Sequence, residues 1–218
     1  MYTLVFDTTG NGVVSAIYKD KEIKQKIEKN MEFGQAEELA VGVEKMLKDE
    51  GIVFDDIDLL GVCTGPGSFT GVRASLAFAR GFSIGKEDLM ITGVSGFEVY
   101  ALMLKEDKRA AYNAVVIETK RDDFYFQLFD EKLNKLTPPL ALTREEIAQK
   151  LKSIQVSFIG DGVERLLSQA MGLQIKHVEF VDMMDVNSLF EAVYVKYFNK
   201  TLDFPKPLYI REAQTCVK

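Results

Sequence analysis

Leu4-Val5-Phe6-Asp7-Thr8-Thr9-Gly10-Asn11-Gly12-Val13-Val14-Ser15-Ala16-Ile17-Tyr18-Lys19-Asp20-Lys21-Glu22-Ile23-Lys24-Gln25-Lys26-Ile27 sets apolar and polar residues by turns almost from the start of the chain. A two-residue period belongs to strands that bury one face. It predicts strands over Thr3–Asp7, Val13–Tyr18 and Glu22–Ile27. Gly10-Asn11-Gly12 joins the first two, and this tripeptide is expected to supply the positive φ angles of a tight hairpin. Lys19-Asp20-Lys21 makes an equally short second turn, so the opening reads as a three-stranded antiparallel meander.

Beyond it the period changes. Leu39, Val43, Met46 and Leu47 recur at helical spacing over Gln35–Asp49, with Gly51 just past the end. Leu59–Thr64 is an almost wholly apolar run, as in a strand covered on both faces. A helix over Thr70–Gly85, a buried strand over Met90–Val94 and a helix over Gly96–Leu104 complete the unit. From Ala114 the order starts again, with strands at Ala114–Thr119, Phe124–Asp130 and Lys135–Leu140, a helix at Arg144–Lys152 and a strand at Val156–Gly160. Helices at Gly162–Met171 and Asn187–Asn199 follow. Two copies of one element order, offset by about 110 residues, predict a duplicated α/β domain. The expected units are 1–104 and 105–218, joined near Lys105–Ala111. This order resembles the actin-like, Hsp70 and sugar-kinase ATPase scaffold, in which nucleotide lies between the halves. Fold alone does not assign function.

The 218 residues, 47% apolar and 28% charged, are those of an ordinary globular chain. No basic n-region with an apolar h-region opens it, and no apolar stretch reaches the ~20 residues of a membrane span. A soluble, cytoplasmic protein without membrane contact is therefore expected. Cys63 and Cys216 are too few for a disulfide framework, and Cys63 reads as a small buried hydrophobe. A net charge of −6 opposes stand-alone nucleic-acid binding. His177 is the single histidine, so neither a His-rich zinc or iron site nor a Ser-His-Asp triad is expected, and it reads as a surface or strand-edge residue.

Three segments carry candidate chemistry. Asp7-Thr8-Thr9-Gly10 ends the first strand. In an ATPase of this scaffold such an Asp would orient a metal-bound water and the hydroxyls would face a phosphate; the alternative is a turn in which Asp7 and Thr8 bond local backbone. Thr64-Gly65-Pro66-Gly67-Ser68-Phe69-Thr70-Gly71-Val72-Arg73 links a strand to a helix. It lacks the Gly-Lys-Ser/Thr ending of a Walker A loop, and it reads equally as close backbone passage with Ser68 or Thr70 capping the helix. Glu118 and Gly160-Asp161-Gly162 are the candidates for a second-half phosphate site.

The opening Leu4–Thr9 and the loop Gly65–Arg73 together resemble the TsaB (YeaZ) family. Val116-Ile117-Glu118-Thr119-Lys120-Arg121 before Phe124-Tyr125, Gly160-Asp161-Gly162 and Pro207-Leu208-Tyr209-Ile210-Arg211 extend the likeness over nearly the whole chain. The resemblance implies a non-catalytic relative of the subunit TsaD, acting with it and a small TsaE-type ATPase to make threonylcarbamoyladenosine in tRNA. It implies no cofactor held by this chain alone, ATP or ADP only in the assembled complex, and tRNA contact only through that complex. Asp7, Thr8, Thr9 and Glu118 are its candidate nucleotide contacts. Gln35 stands where many relatives have His, and Glu118 where they have Asp. An actin-fold phosphotransferase or ATPase acting on a small molecule is the alternative. A glycoprotein-directed peptidase is a third reading, and the missing metal ligands argue against it.

The helix after the Gly-Pro-Gly loop is apolar nearly all round. At ~100° per residue, Val72, Ser75, Leu76, Ala79 and Phe82 turn to the sheet, while Arg73, Ala77, Arg80 and Ile84, flanked by Ala74 and Gly81, turn away. This outer side, with Ala36, Ala40 and Val43 of the preceding helix, is the expected partner surface. The free chain is expected to pair with itself through it, in competition with the catalytic subunit.

Overall fold

The computed structural model describes residues 1–211; Cys216 lies outside them. Three strands, β1 (Tyr2–Asp7), β2 (Gly12–Lys19) and β3 (Glu22–Asn30), form the meander. Then come α1 (Gln35–Glu50), β4 (Ile57–Cys63), α2 (Phe69–Gly85), β5 (Met90–Val94) and α3 (Gly96–Met103). The second half repeats this as β6 (Tyr112–Glu118), β7 (Asp123–Asp130), β8 (Leu140–Thr143), α4 (Arg144–Lys150), β9 (Gln155–Gly160), α5 (Val163–Leu167), β10 (Gln174–Phe180) and α6 (Val186–Phe198). The two sheets run β3-β2-β1-β4-β5 and β8-β7-β6-β9-β10. Each strand has its counterpart in the same place, which is the duplication written in hydrogen bonds. The architecture is the actin-like one.

Alternation along the strands fixes which helices cover which face. Leu4, Phe6, Leu60 and Val62 join α1 and α2 in one core, and Val116, Phe126, Val156 and Phe158 join α4 and α5 in another. The opposite faces, with Val5, Leu59, Val115 and Ile159, meet in a third core that also holds Phe97 and Tyr100 of α3 and Leu189 and Val193 of α6. Here the helices cross over. α3 packs on β6 and β9, whereas α6 packs on β1, β2, β4 and β5. Among the described residues no helix is long and apolar enough to cross a membrane.

Four local expectations change. Neither Gly10, Asn11 nor Gly12 has a positive φ; Gly12 is instead a close approach, since a Cβ there would lie 2.1 Å from the Lys29 carbonyl oxygen. The strand read at Lys135–Leu140 begins only at Leu140, because Pro138 and Pro139 cannot donate to a ladder. The helix read at Gly162–Met171 is the five-residue α5. β10 was not expected at all; it holds His177, whose Nε2 lies 2.8 Å from Glu179 Oε2.

Candidate functional site

The residues singled out in the sequence fall in the groove between the halves and on the outer face of α1 and α2.

At the inner end of the groove the turn after β1 is filled by the chain itself. Ser68 N–H donates to the Thr9 carbonyl at 2.8 Å. A Cβ on Gly67 would lie 2.2 Å from that same oxygen, and one on Gly71 1.9 Å from Thr8 O. The Thr8 hydroxyl donates to Gly71 O at 2.8 Å and lies 2.7 Å from Ser75 Oγ. Thr8 is thus a buried link between β1 and α2 and does not face a phosphate. Asp7 Oδ1 accepts from Thr9 N–H at 2.8 Å, and burial pushes its carboxyl above the usual range against those local hydrogen bonds. Thr9 Oγ1 contacts Cys63 Sγ at 3.6 Å; Cys63 is wholly buried, as its apolar surroundings in sequence suggested. Of the two candidate caps, Ser68 is the one used, its Oγ accepting from Gly71 N–H at 3.3 Å. The loop glycines therefore serve close backbone passage; the Thr8 hydroxyl is taken up inside the chain, whereas Thr9 also lines the cleft between the halves.

The second half does the same. Gly160, at φ 131°, would bring a Cβ within 2.1 Å of the Val116 carbonyl, Gly162 N–H donates to that oxygen at 3.1 Å, and Asp161 Oδ1 accepts from Glu118 N–H at 2.9 Å. Glu118 itself is engaged by Arg165, Nε to Oε2 at 2.6 Å and Nη2 to Oε1 at 2.8 Å. Burial opposes ionisation of Glu118, but Arg165 and the Lys120 amide outweigh it and hold the carboxyl below its ordinary value. This fork-to-fork pair commits the carboxylate to its own chain, at a position that lines the cleft between the halves.

These same turns border an open cleft of about 680 Å³, with Thr9, Gly10, Gly67 and Ser68 on one side and Glu118 and Asp161 on the other. Tyr100 and Asp161 lie on its floor, Phe69, Tyr125 and Tyr209 on its sides, and Lys120 and Arg121 at its mouth. Burial raises the Asp161 carboxyl to about 7, with Glu118 and Asp7 adding to the effect. Burial also raises the Tyr100 phenol well above its usual value, with Asp161 contributing. Among the described residues no three His, Cys, Asp or Glu side chains gather as metal ligands.

On the outer face, Val72, Ser75, Leu76 and Ala79 are buried and Arg73, Ala77, Arg80, Gly81 and Ile84 are exposed, with Ala74 between. Ile84 is 85% exposed. On α1, Ala36 and Ala40 are exposed, but Val43 is 1% exposed and packs in the chain's own core. Val43 is therefore removed from the partner surface, because at helical spacing it shares the inward side with Leu39 and Met46. Exposed Phe33 and Val41 extend the face; they were missed because both lie off the small-residue stripe that drew attention to Ala36 and Ala40.

The family model described as TsaD, tRNA N6-adenosine threonylcarbamoyltransferase, matches residues 34–184. The chain belongs to the TsaD family. Within that family it is of the TsaB (YeaZ) type. The "tRNA threonylcarbamoyladenosine biosynthesis protein TsaB" of Buchnera aphidicola is 22% identical over 216 residues, covering 96% of this chain and 97% of that one. The protein of the same description from Haemophilus influenzae is 29% identical over 112 residues, 51% of this chain and 47% of its own. YeaZ from Pseudomonas aeruginosa shares the fold, with a TM-score of 0.78 at 17% identity over 95% of this chain and 99% of that one. TsaB-type chains and the TsaD model thus meet in one sequence.

Proposed function

We propose that this TsaB-type protein serves threonylcarbamoyladenosine formation in tRNA as a non-catalytic subunit, bound through the outer face of α1 and α2 to a TsaD-type threonylcarbamoyltransferase. A TsaE-type ATPase completes the assembly, ATP or ADP is held by the complex rather than by this chain alone, and tRNA is reached only through the complex. The free chain pairs with itself through the same face, and the setting is the cytoplasm. The observation that supports the non-catalytic reading is that candidate groups are taken up within the chain, the Thr8 hydroxyl by Gly71 and Ser75 and the Glu118 carboxylate by Arg165. The alternative of a small-molecule phosphotransferase is not favoured, since Glu118, the candidate acid of the second half, is paired with Arg165.

Reconstitution tests the reading. Catalytic subunit, small ATPase, tRNA and threonylcarbamoyl-adenylate are expected to give modified tRNA over repeated turnovers only with this chain present. Equal multiple-turnover yield without it would sink the proposal. ATP turnover by the purified chain alone at about 1 per second or faster would favour the phosphotransferase instead.

A further inference from the structure

Pro207-Leu208-Tyr209-Ile210-Arg211 belongs to a segment that leaves α6 without regular structure and crosses the groove. It is fixed on both sides. Leu208 N–H donates to Thr64 O at 2.9 Å in the first half, and Arg211 pairs with Asp123 and lies over the Tyr125 ring in the second. Between these anchors Tyr209 is held out, 53% exposed, stacked on Phe69 with ring centroids 5.9 Å apart. The Arg73 guanidinium lies 5.2 Å from the same Phe69 ring. Tyr209 and Pro207 stand over α2 and enclose, with Leu76, Ala77, Gly81 and Ile84, a hollow of about 540 Å³.

We infer that this segment is the outer wall of the docking socket: Tyr209 and Pro207, with the exposed side of α2, receive an apolar side chain of the TsaD-type partner flanked by carboxylates. The inference rests on the partner face proposed above and adds a second element to it. Leu76 supplies an apolar floor, and the missing side chains at Gly81 and Ala77 leave room for a knob from a partner helix. Arg73 and Arg80 rim the hollow, and α2 has no acidic residue in 69–85 to neutralise them. Charge complementarity therefore asks for acids on the partner. Tyrosine is suited to such a wall, since it gives wide contact for two lost rotors, and here its backbone is already pinned, so little ordering is left to pay on binding. The second half has no equivalent, because α5, the counterpart of α2, is only five residues long.

The test measures binding of the TsaD-type subunit to the full chain and to Tyr209→Ala, Tyr209→Phe and Ala77→Glu, with thermal melting of each free variant. Amide exchange of Tyr209 and Ile210 is followed in the wild-type chain alone and in the complex. Tyr209→Ala is expected to weaken binding about tenfold or more, Tyr209→Phe to retain it, and the two amides to slow on complex formation. If Tyr209→Ala binds as wild type, or the amides stay unprotected, while Ala77→Glu abolishes binding, the wall is disproved and the α2 face stands. If neither variant affects binding, the partner face itself is wrong and the inference goes with it. Should Tyr209→Ala melt early, the amide protection of the wild-type chain decides. Equal protection on concentrating the chain alone, without further protection from the partner, would assign the socket to a second copy and overturn the occupant named here.

Discussion

Asp161 is the acid on which the cleft floor turns. Its Oδ1 accepts from Glu118 N–H, and burial raises its carboxyl from 3.8 to about 7. The unfolded chain releases this proton near 3.8 and the folded chain only near 7, so between those values the folded state binds more protons. Its stabilising contribution is therefore complete below about pH 3.8 and is lost as pH rises toward 7. An amide at this position keeps the oxygen acceptor for Glu118 N–H and removes the titration. Asp161→Asn is thus expected to lose less melting temperature between pH 5 and pH 8 than the wild-type chain loses. Parallel curves for the two proteins would mean that Asp161 ionises freely in the folded chain. Thr8 shows the other use of a buried polar group: its hydroxyl satisfies Gly71 O and Ser75, a local commitment worth roughly 1–3 kcal/mol if one partner were left unpaired.

At the scale of elements, α2 separates its duties by side. Val72, Ser75, Leu76 and Ala79 are buried against β1 and β4, and Ala77 lies on the opposite, exposed side. A glutamate at 77 adds no charge to the core and loses only a few tenths of a kcal/mol of helix propensity, but in a desolvated contact it would lie uncompensated. Ala77→Glu should abolish association with the catalytic subunit and move the free chain to the monomer position in size-exclusion, while its melt stays cooperative. Normal binding, or loss of the fold, would show that the face is assigned wrongly. This division was legible because burial of a helix follows its period. The edges of the sheets were less so. β10, with Lys176, His177 and Glu179 among its seven residues, carries the charges of an edge strand and hides its period; only the duplication, which requires a counterpart to β5, pointed to it. The filled turns were illegible for another reason. A glycine that lets backbone touch backbone and one that lets backbone touch phosphate are the same letter, and Gly67 and Gly71 were decided only by what lies within 2.2 Å of them.

Across the whole molecule the two halves are joined by exchanged helices rather than by a linker. Gly61 of β4 has no side chain because Val193 of α6 occupies the space, with its Cγ2 2.2 Å from where a Cβ would stand. Tyr18 of β2 stacks on Phe190 of α6 with centroids 3.9 Å apart, and Lys196 donates to Gly93 O at 2.7 Å. In the other direction α3 lies on β6 and β9, and Glu98 pairs with Lys135 at 2.8 Å. A division at 104 and 105 therefore cuts every one of these contacts. The first half alone would lose α6 from the face of β1, β2, β4 and β5, exposing Val5, Val14, Leu59 and their neighbours, each now buried. At ~25 cal/mol per Å² of apolar surface, uncovering a few hundred Å² on these four strands costs on the order of the ~5–15 kcal/mol that holds a whole domain folded. We expect the intact chain to unfold in one cooperative step, with calorimetric and van't Hoff enthalpies equal. A chain ending at Leu104 is expected to lack a cooperative melt, and to regain one when 105–218 is added as a separate piece. Two resolved transitions in the intact chain, or a sharp melt for 1–104 alone, would show instead that the duplicated units are independent folds.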